Sequence, residues 1–145
     1  MLDGLQDPGN AGTIARTAEA FGATGMFFLK GAVSPFHAKT LRASAGSLFR
    51  LPILDSLTPA WALKCLKGRG VTAWTTLVSD GIPAHQADLK QPCALIIGSE
   101  ARGVSEELRK SLKSIMIPTV SVESLNAAVA GAVVLYEAAR QRGFQ

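Results

Sequence analysis

Short uninterrupted apolar runs recur along this chain, and most are followed by a turn and then a stretch with helical spacing. Met26 to Leu29 (MFFL), Ala94 to Ile97 (ALII) and Ile115 to Ile117 (IMI) are the clearest. A strand with one face in water alternates apolar and polar residues, so a run that is apolar at every position is covered on both faces. Strands of that kind alternating with helices restrict the chain to an α/β fold, a parallel sheet with helices on both faces. In such sheets ligands bind beyond the carboxyl ends of the strands. The loops after Leu77, Ile97 and Ile117 are therefore the expected binding rim.

The chain reads in order as follows. Met1 to Leu5 is the end of a strand, and Asp7 to Asn10 (DPGN) is a turn. A helix is expected over Ala11 to Phe21, a strand over Gly25 to Leu29, a helix over Ala38 to Ala45 and a possible strand over Leu48 to Ile53. Pro59 opens a helix that runs to about Lys67. Val71 to Leu77 is a strand, Ser79 to Pro92 mostly loop, Ala94 to Ile97 a strand and Ser105 to Leu112 a helix. After the strand Ile115 to Ile117, the last helix begins at Ser124 or Asn126, both good N-cap types. Leu125, Ala128, Val129, Ala132, Val133, Tyr136 and Ala139 recur at helical spacing and predict one apolar face. Free N–H groups at that helix start suit a polar ligand, or the helix is an ordinary capped core element.

At 145 residues, one domain is expected, and 48% hydrophobic against 18% charged residues is enough for a sizeable core. No run approaches the roughly 18 apolar residues of a membrane span, and the N-terminus lacks a signal-peptide pattern. Cys65 and Cys93 form no CxxC and two histidines make no zinc pattern, which suggests free thiols in a reducing cytoplasm and no metal. The net charge is +4, and no acidic residue lies between Glu19 and Asp55, a stretch that holds Lys30, His37, Lys39, Arg42 and Arg50. Those charges suit a phosphate backbone or a solvated loop and helix equally.

Gly98 to Gly103 (GSEARG) has the glycine spacing of a P-loop, but Val104 stands where the lysine is required, so a nucleotide triphosphatase is not supported. Nor does it match the dinucleotide fingerprint. Glu100 places a carboxylate among the rim loops. Asn10 and Arg16 are six residues apart, roughly 240° of helix rotation. They face one site only if Asn10 belongs to the turn rather than to the helix. No Ser/His/Asp arrangement or carboxylate pair can be built.

Three segments in order resemble the signature motifs of the SpoU (TrmH-type) RNA 2′-O-ribose methyltransferases of the SPOUT superfamily. They are LDGLQDPGNAGTIARTAEAFGATGMFFLKG (Leu2 to Gly31), ALIIGSEARGVSEEL (Ala94 to Leu108) and SIMIPTVSVESLNAAVAGAVVLYEAARQR (Ser114 to Arg142). KTLRASAGSLFRLPI (Lys39 to Ile53) is also similar to the family. The resemblance implies a deep C-terminal trefoil knot in place of an ordinary doubly wound sheet. It implies S-adenosyl-L-methionine bound by Thr76, Leu77, Gly98, Ser99, Ile117, Ser124, Leu125 and Asn126. It further implies methyl transfer to a ribose 2′-hydroxyl of tRNA or rRNA. Arg16 would stabilise the developing alkoxide, with Asn10, Glu100, Ser124 and Asn126 orienting the site. Lys39, Arg42 and Arg50, with Arg16, would hold the RNA. A homodimer through the knot region is implied, in which Arg16 serves a site completed by the partner. Residues 1–145 are then the catalytic domain without the N-terminal substrate-recognition domain many members carry. The rival readings are a non-catalytic RNA-binding module with the same fold and, less well supported, a small-molecule enzyme of flavodoxin-like architecture.

Overall fold

In the computed structural model, which describes residues 1–144, the chain opens with β1 (Leu2–Asp3), α1 (Pro8–Ala20), β2 (Met26–Leu29) and α2 (Ala38–Ala43). A 3-10 turn (Ser47–Phe49), β3 (Ile53–Leu57), α3 (Pro59–Gly68) and β4 (Thr72–Leu77) follow. The second half holds β5 (Ile82–Pro83), a 3-10 turn (Ala84–Gln86), β6 (Cys93–Gly98), α4 (Glu106–Ser111), β7 (Lys113–Met116) and α5 (Ala127–Gln141). The seven strands form one sheet in the order β3-β2-β1-β6-β4-β7-β5, and every pairing is parallel.

Apolar strands feed cores on both faces, as their composition requires. Phe28, Trp74, Leu95 and Ile97 point to one core, with Ile14 and Ala15 of α1 and Ala128 and Val134 of α5. Leu29, Ala73 and Ile96 point to the other, with Ala62 of α3 and Leu108 of α4. Neighbouring strand residues thus serve opposite layers, the period-2 geometry of a strand.

Three expectations are corrected. The helix expected from Ala11 starts at Pro8, because Asp7 caps it by accepting the Asn10 N–H (2.6 Å) and Pro8 fits the first helical position. Asn10 therefore lies in the helix proper. The strand expected over Leu48 to Ile53 is a 3-10 turn followed by an edge strand that begins at Ile53. Leu48 and Leu51 are buried three residues apart, which a turn satisfies and a strand does not, and Pro52 offers no N–H to a ladder. The buried face of α5 is only in part the one expected. Ala128 and Ala139 are buried as expected, together with Ala127, Gly131, Val134 and Ala138, whereas Val129, Val133 and Tyr136 are exposed. Small residues let α5 lie close to the sheet, and the bulkier stripe is left outside.

The order in which strands are added reverses between β1 and β6: the chain builds outward from β1 through β2 to β3, then crosses to β4 on the far side of β6. Clefts form at such a switch. The β4-to-β5 connection is unusual. These strands are consecutive in sequence, yet β7 lies between them. Residues 78–81 pass directly over the carboxyl end of β7. Asp80 adopts a left-handed φ of 61° there, and a Cβ on Gly81 would stand 2.7 Å from the Ile115 carbonyl carbon. Only glycine fits so close to another backbone.

Candidate active site

The rim expected from the strand ends exists. Loops after β4, β6 and β7, together with the start of α5, enclose a cavity of about 380 Å³. Thr76, Leu77, Gly98, Ser99, Ile117, Ser124 and Leu125 all line it. Asn126 does not line it but caps the helix that forms its wall. Ile97, Ile117, Leu125 and Val134 supply apolar surface; Ser99, Glu100, Thr119 and Ser124 supply polar groups. Volume and mixed lining are those of a small-molecule site.

Each wall has a local cause. Gly98 ends β6 where a Cβ would stand 2.1 Å from the Gly103 carbonyl carbon, so the loop can fold back on the strand only at glycine. The fold-back is closed by paired backbone bonds between Ser99 and Gly103, and the Ser99 hydroxyl accepts the Arg102 N–H (3.1 Å). The Thr76 hydroxyl donates to the Ile96 carbonyl (2.9 Å), locking β4 to β6 at the cavity.

Beside the cavity, three side chains far apart in sequence form one chain of hydrogen bonds. Asn10 Nδ2 donates to Glu100 Oε1 (2.6 Å), and Asn126 Nδ2 donates to Asn10 Oδ1 (3.2 Å). Asn126 Oδ1 in turn accepts the N–H groups of Ala128 (2.9 Å) and Val129 (3.3 Å), capping α5. Asn126, not Ser124, is thus the N-cap; Ser124 is exposed and lines the cavity. The network joins the loop after β6 to the starts of α1 and α5 at the point where the order of strand addition reverses.

Arg16 is not brought into this cluster. It lies on the exposed stripe Thr13, Arg16, Ala20 of α1, roughly 240° around the helix from Asn10, and does not line the cavity. Because Asn10 is helical, the condition for the two to face one site within a single chain is not met. Arg16 has no hydrogen bond or ion pair among the described residues. Elsewhere on α1, Ile14 packs against Gly131 of α5, and at the helix end the Phe21 and Tyr136 rings meet edge to face at 5.5 Å.

The basic stretch divides in two. Lys39 and Arg42 are exposed on α2, whose N-cap is the His37 ring accepting the Lys39 N–H (3.2 Å). Arg50 is instead held by Glu19, Nη2 to Oε2 at 2.7 Å, and its charge is compensated. The Arg50 hydrogen bonds hold the Glu19 carboxyl down to about 2. Glu19 lies in the last turn of α1, nine residues and so roughly 14 Å along the helix from Asn10. Arg50 therefore sits at the opposite end of α1 from the cavity.

Sequence reasoning missed several contributors. Asp3 is a buried carboxylate on β1 that accepts the Ser105 N–H (2.7 Å) and anchors the far end of the Gly98 to Val104 loop. An acid inside an apolar strand was the available signal. Asp80, Arg102, Arg109 and Glu123 also line the cavity. All but Arg109 lie in the flagged loops, which gave no means of ranking them.

Comparison with known proteins agrees with this geometry. The model of the SpoU rRNA Methylase family matches residues 1–136. An uncharacterised tRNA/rRNA methyltransferase of Synechocystis is 40% identical over 146 residues, covering 99% of this chain and 38% of that protein. The 23S rRNA (guanosine(2553)-2′-O)-methyltransferase RlmP of Bacillus subtilis is 36% identical over 138 residues, covering 94% of this chain and 55% of that protein. The chain thus spans about half or less of the length of these curated relatives. Among solved structures, the SpoU methyltransferase AviRb of Streptomyces viridochromogenes, crystallised with AdoMet, superposes with a TM-score of 0.92. It is 34% identical, with 97% of this chain and 58% of that one covered. A parallel sheet in this strand order, a cavity at the carboxyl ends of β4, β6 and β7 and a family match over nearly the full length lead to one assignment: the chain belongs to the SpoU methylase family.

Proposed function

We propose that residues 1–145 are the catalytic domain of an S-adenosylmethionine-dependent RNA 2′-O-ribose methyltransferase acting on tRNA or rRNA. The observation that carries this reading is the cavity at the ends of β4, β6 and β7 with the Asn10–Glu100–Asn126 chain on its edge. The residues present fit the cofactor: the close turn at Gly98 folds the Ser99–Gly103 loop into one wall, and apolar side chains face polar ones across a small-molecule volume. Relatives named as 2′-O-methyltransferases and a structural neighbour holding AdoMet support the same reading.

When bound, S-adenosylmethionine supplies a methyl carbon already activated by a positive sulfur. The protein's task is then alignment and stabilisation of the charge that develops on the ribose oxygen. Asn10, fixed between Glu100 and Asn126, orients the ribose or its phosphate. Glu100 accepts hydrogen bonds at the cavity edge, and Ser124 and Leu125 shape the wall above α5. Arg16 supplies a permanently charged guanidinium that favours the alkoxide form of the attacking 2′-oxygen. Lys39 and Arg42 attract the backbone, while Arg50 contributes less because Glu19 neutralises it.

Because Arg16 faces away from its own cavity, the active form is read as a homodimer. Its interface uses the α5 stripe Val129, Val133, Tyr136 together with the α1 stripe, bringing Arg16 to the partner's cavity. The C-terminal segment is read as knotted, threaded beneath residues 78–81; β7 lying between β4 and β5 supports this. An RNA substrate and two free cysteines fit the cytoplasm.

The test is transfer of labelled methyl from S-adenosylmethionine to unmodified rRNA and tRNA, with digestion to nucleosides. A 2′-O-methyl nucleoside is expected, and Arg16→Ala abolishes it with the affinity for S-adenosylhomocysteine nearly intact. RNA binding without any transfer by a cofactor-binding protein would favour the non-catalytic module instead.

A further inference from the structure

Among the exposed aromatic residues, Phe36 has a setting of its own. Trp61 leans on Phe27, and Tyr136 lies between Phe21 and Phe144. Phe49 is exposed beside the Arg50–Glu19 pair, at the end of α1 remote from the cavity. Phe36 is 67% exposed in the loop after β2, on the carboxyl rim of the sheet. Its backbone is nonetheless tied down. The Phe36 N–H donates to the Ser34 hydroxyl (3.2 Å), the His37 N–H to the Ser34 carbonyl (3.1 Å) and the Val33 N–H to the Leu5 carbonyl (2.8 Å), and Pro35 is buried. A fixed backbone holding a ring in water is preorganised for contact with something outside the chain.

The surroundings select the partner. Leu5, to which this loop is bonded, lies in the connection from β1 to the Asp7 cap and Asn10. Asn10 follows β1 and Phe36 follows the neighbouring strand β2, so both stand on the same stretch of the carboxyl rim. Lys39 and Arg42 follow on α2, and no acidic residue occurs from Ala20 to Leu54. A flat apolar ring beside unneutralised cations matches a nucleic acid strand, which offers both a phosphate and a base face. A ribose hydroxyl presented in line to a buried methyl donor also calls for a nucleotide pulled out of its stack, whose neighbouring base needs a new surface. We propose that Phe36 is a stacking platform for an unpaired base of the RNA, next to the nucleotide that enters the site. The proposal rests on the RNA reading above and adds to it a specific base contact.

The test is binding of a short unstructured oligoribonucleotide and of an RNA duplex of equal length, across a salt series. Phe36→Ala weakens single-strand binding by roughly 5- to 140-fold, the range for loss of one stacked base. It leaves duplex binding and the salt dependence unchanged, and Phe36→Trp restores affinity. Lys39→Gln and Arg42→Gln behave oppositely, each lowering the single-strand salt slope by about 0.7. Unaltered single-strand affinity in Phe36→Ala, or an equal loss on duplex, overturns the platform and points to a protein partner for this ring. S-adenosylhomocysteine binding, measured in parallel, separates the two claims. A chain that binds RNA through Phe36 but never binds the cofactor product keeps the platform and loses the methyltransferase reading. Intact cofactor binding without a Phe36 effect does the reverse.

Discussion

Asn126 serves two elements with one amide. Its oxygen caps α5 and its nitrogen holds Asn10, so helix stability and site geometry are separable by substitution. Asn126→Ala removes both and costs about 1 kcal/mol of stability, the usual value of a cap. Asn126→Asp keeps the cap but sets a carboxylate against the Asn10 carbonyl oxygen. Near-normal thermal unfolding with a large loss of methyl transfer is expected of the Asp variant. A second prediction concerns pH. Arg50 depresses the folded-state pKa of Glu19 from 4.5 to about 2. The pair's contribution is therefore present above the unfolded carboxylate value and is lost as pH falls from about 4.5 towards 2. Arg50→Gln should lower the unfolding midpoint at neutral pH by a small amount, with the difference from wild type vanishing across that window. Glu137, held down to about 2 by Arg140, titrates in the same range but cancels in the comparison. The same Arg50→Gln variant should bind RNA nearly as well as wild type.

At the scale of elements, the sequence was most legible where burial dictated composition. MFFL, ALII and the strand around Ile115 are apolar at adjacent positions because both sheet faces are covered, and all three are strands. The rim loops followed from strand direction alone. What escaped was set by turns and contacts not local in sequence. The Asp7 cap drew Asn10 into the helix, and the edge strand Ile53–Leu57, with Asp55 and Ser56 in it, lacks the buried composition of its neighbours. The hydrogen-bonded trio of Asn10, Glu100 and Asn126 joins residues 90 and 116 positions apart, which no spacing argument finds; each stands out locally, but only the family resemblance groups them in one site. Arg16 was named by the same route, but its direction was not readable until the helix start was known. Gly98 provides the element-scale prediction. A methyl group there overlaps the Gly103 backbone, so Gly98→Ala must displace the loop, at a cost of about 1–3 kcal/mol by analogy with overpacked cores. Weaker S-adenosylhomocysteine binding by calorimetry and a lower denaturation midpoint are both expected.

For the whole molecule, the exposed stripes of α1 and α5 decide whether a cavity and its arginine belong to one chain or to two. Light scattering should give a dimer, and Tyr136→Arg or Val133→Arg should give a folded monomer with little transfer activity. Mixing inactive Arg16→Ala with inactive Gly98→Ala chains should restore activity to about a quarter of wild type, since half the dimers are mixed and each has one intact site in a twofold arrangement. No recovery on mixing would return Arg16 to its own subunit and contradict the shared site. The account depends above all on the cavity at the ends of β4, β6 and β7 being the cofactor site. Calorimetric titration of the folded protein with S-adenosylhomocysteine tests that directly. Saturable binding at one site per chain, weakened by Gly98→Ala and indifferent to Arg16→Ala, is the expected result; a well-folded protein giving no saturable heat would contradict it.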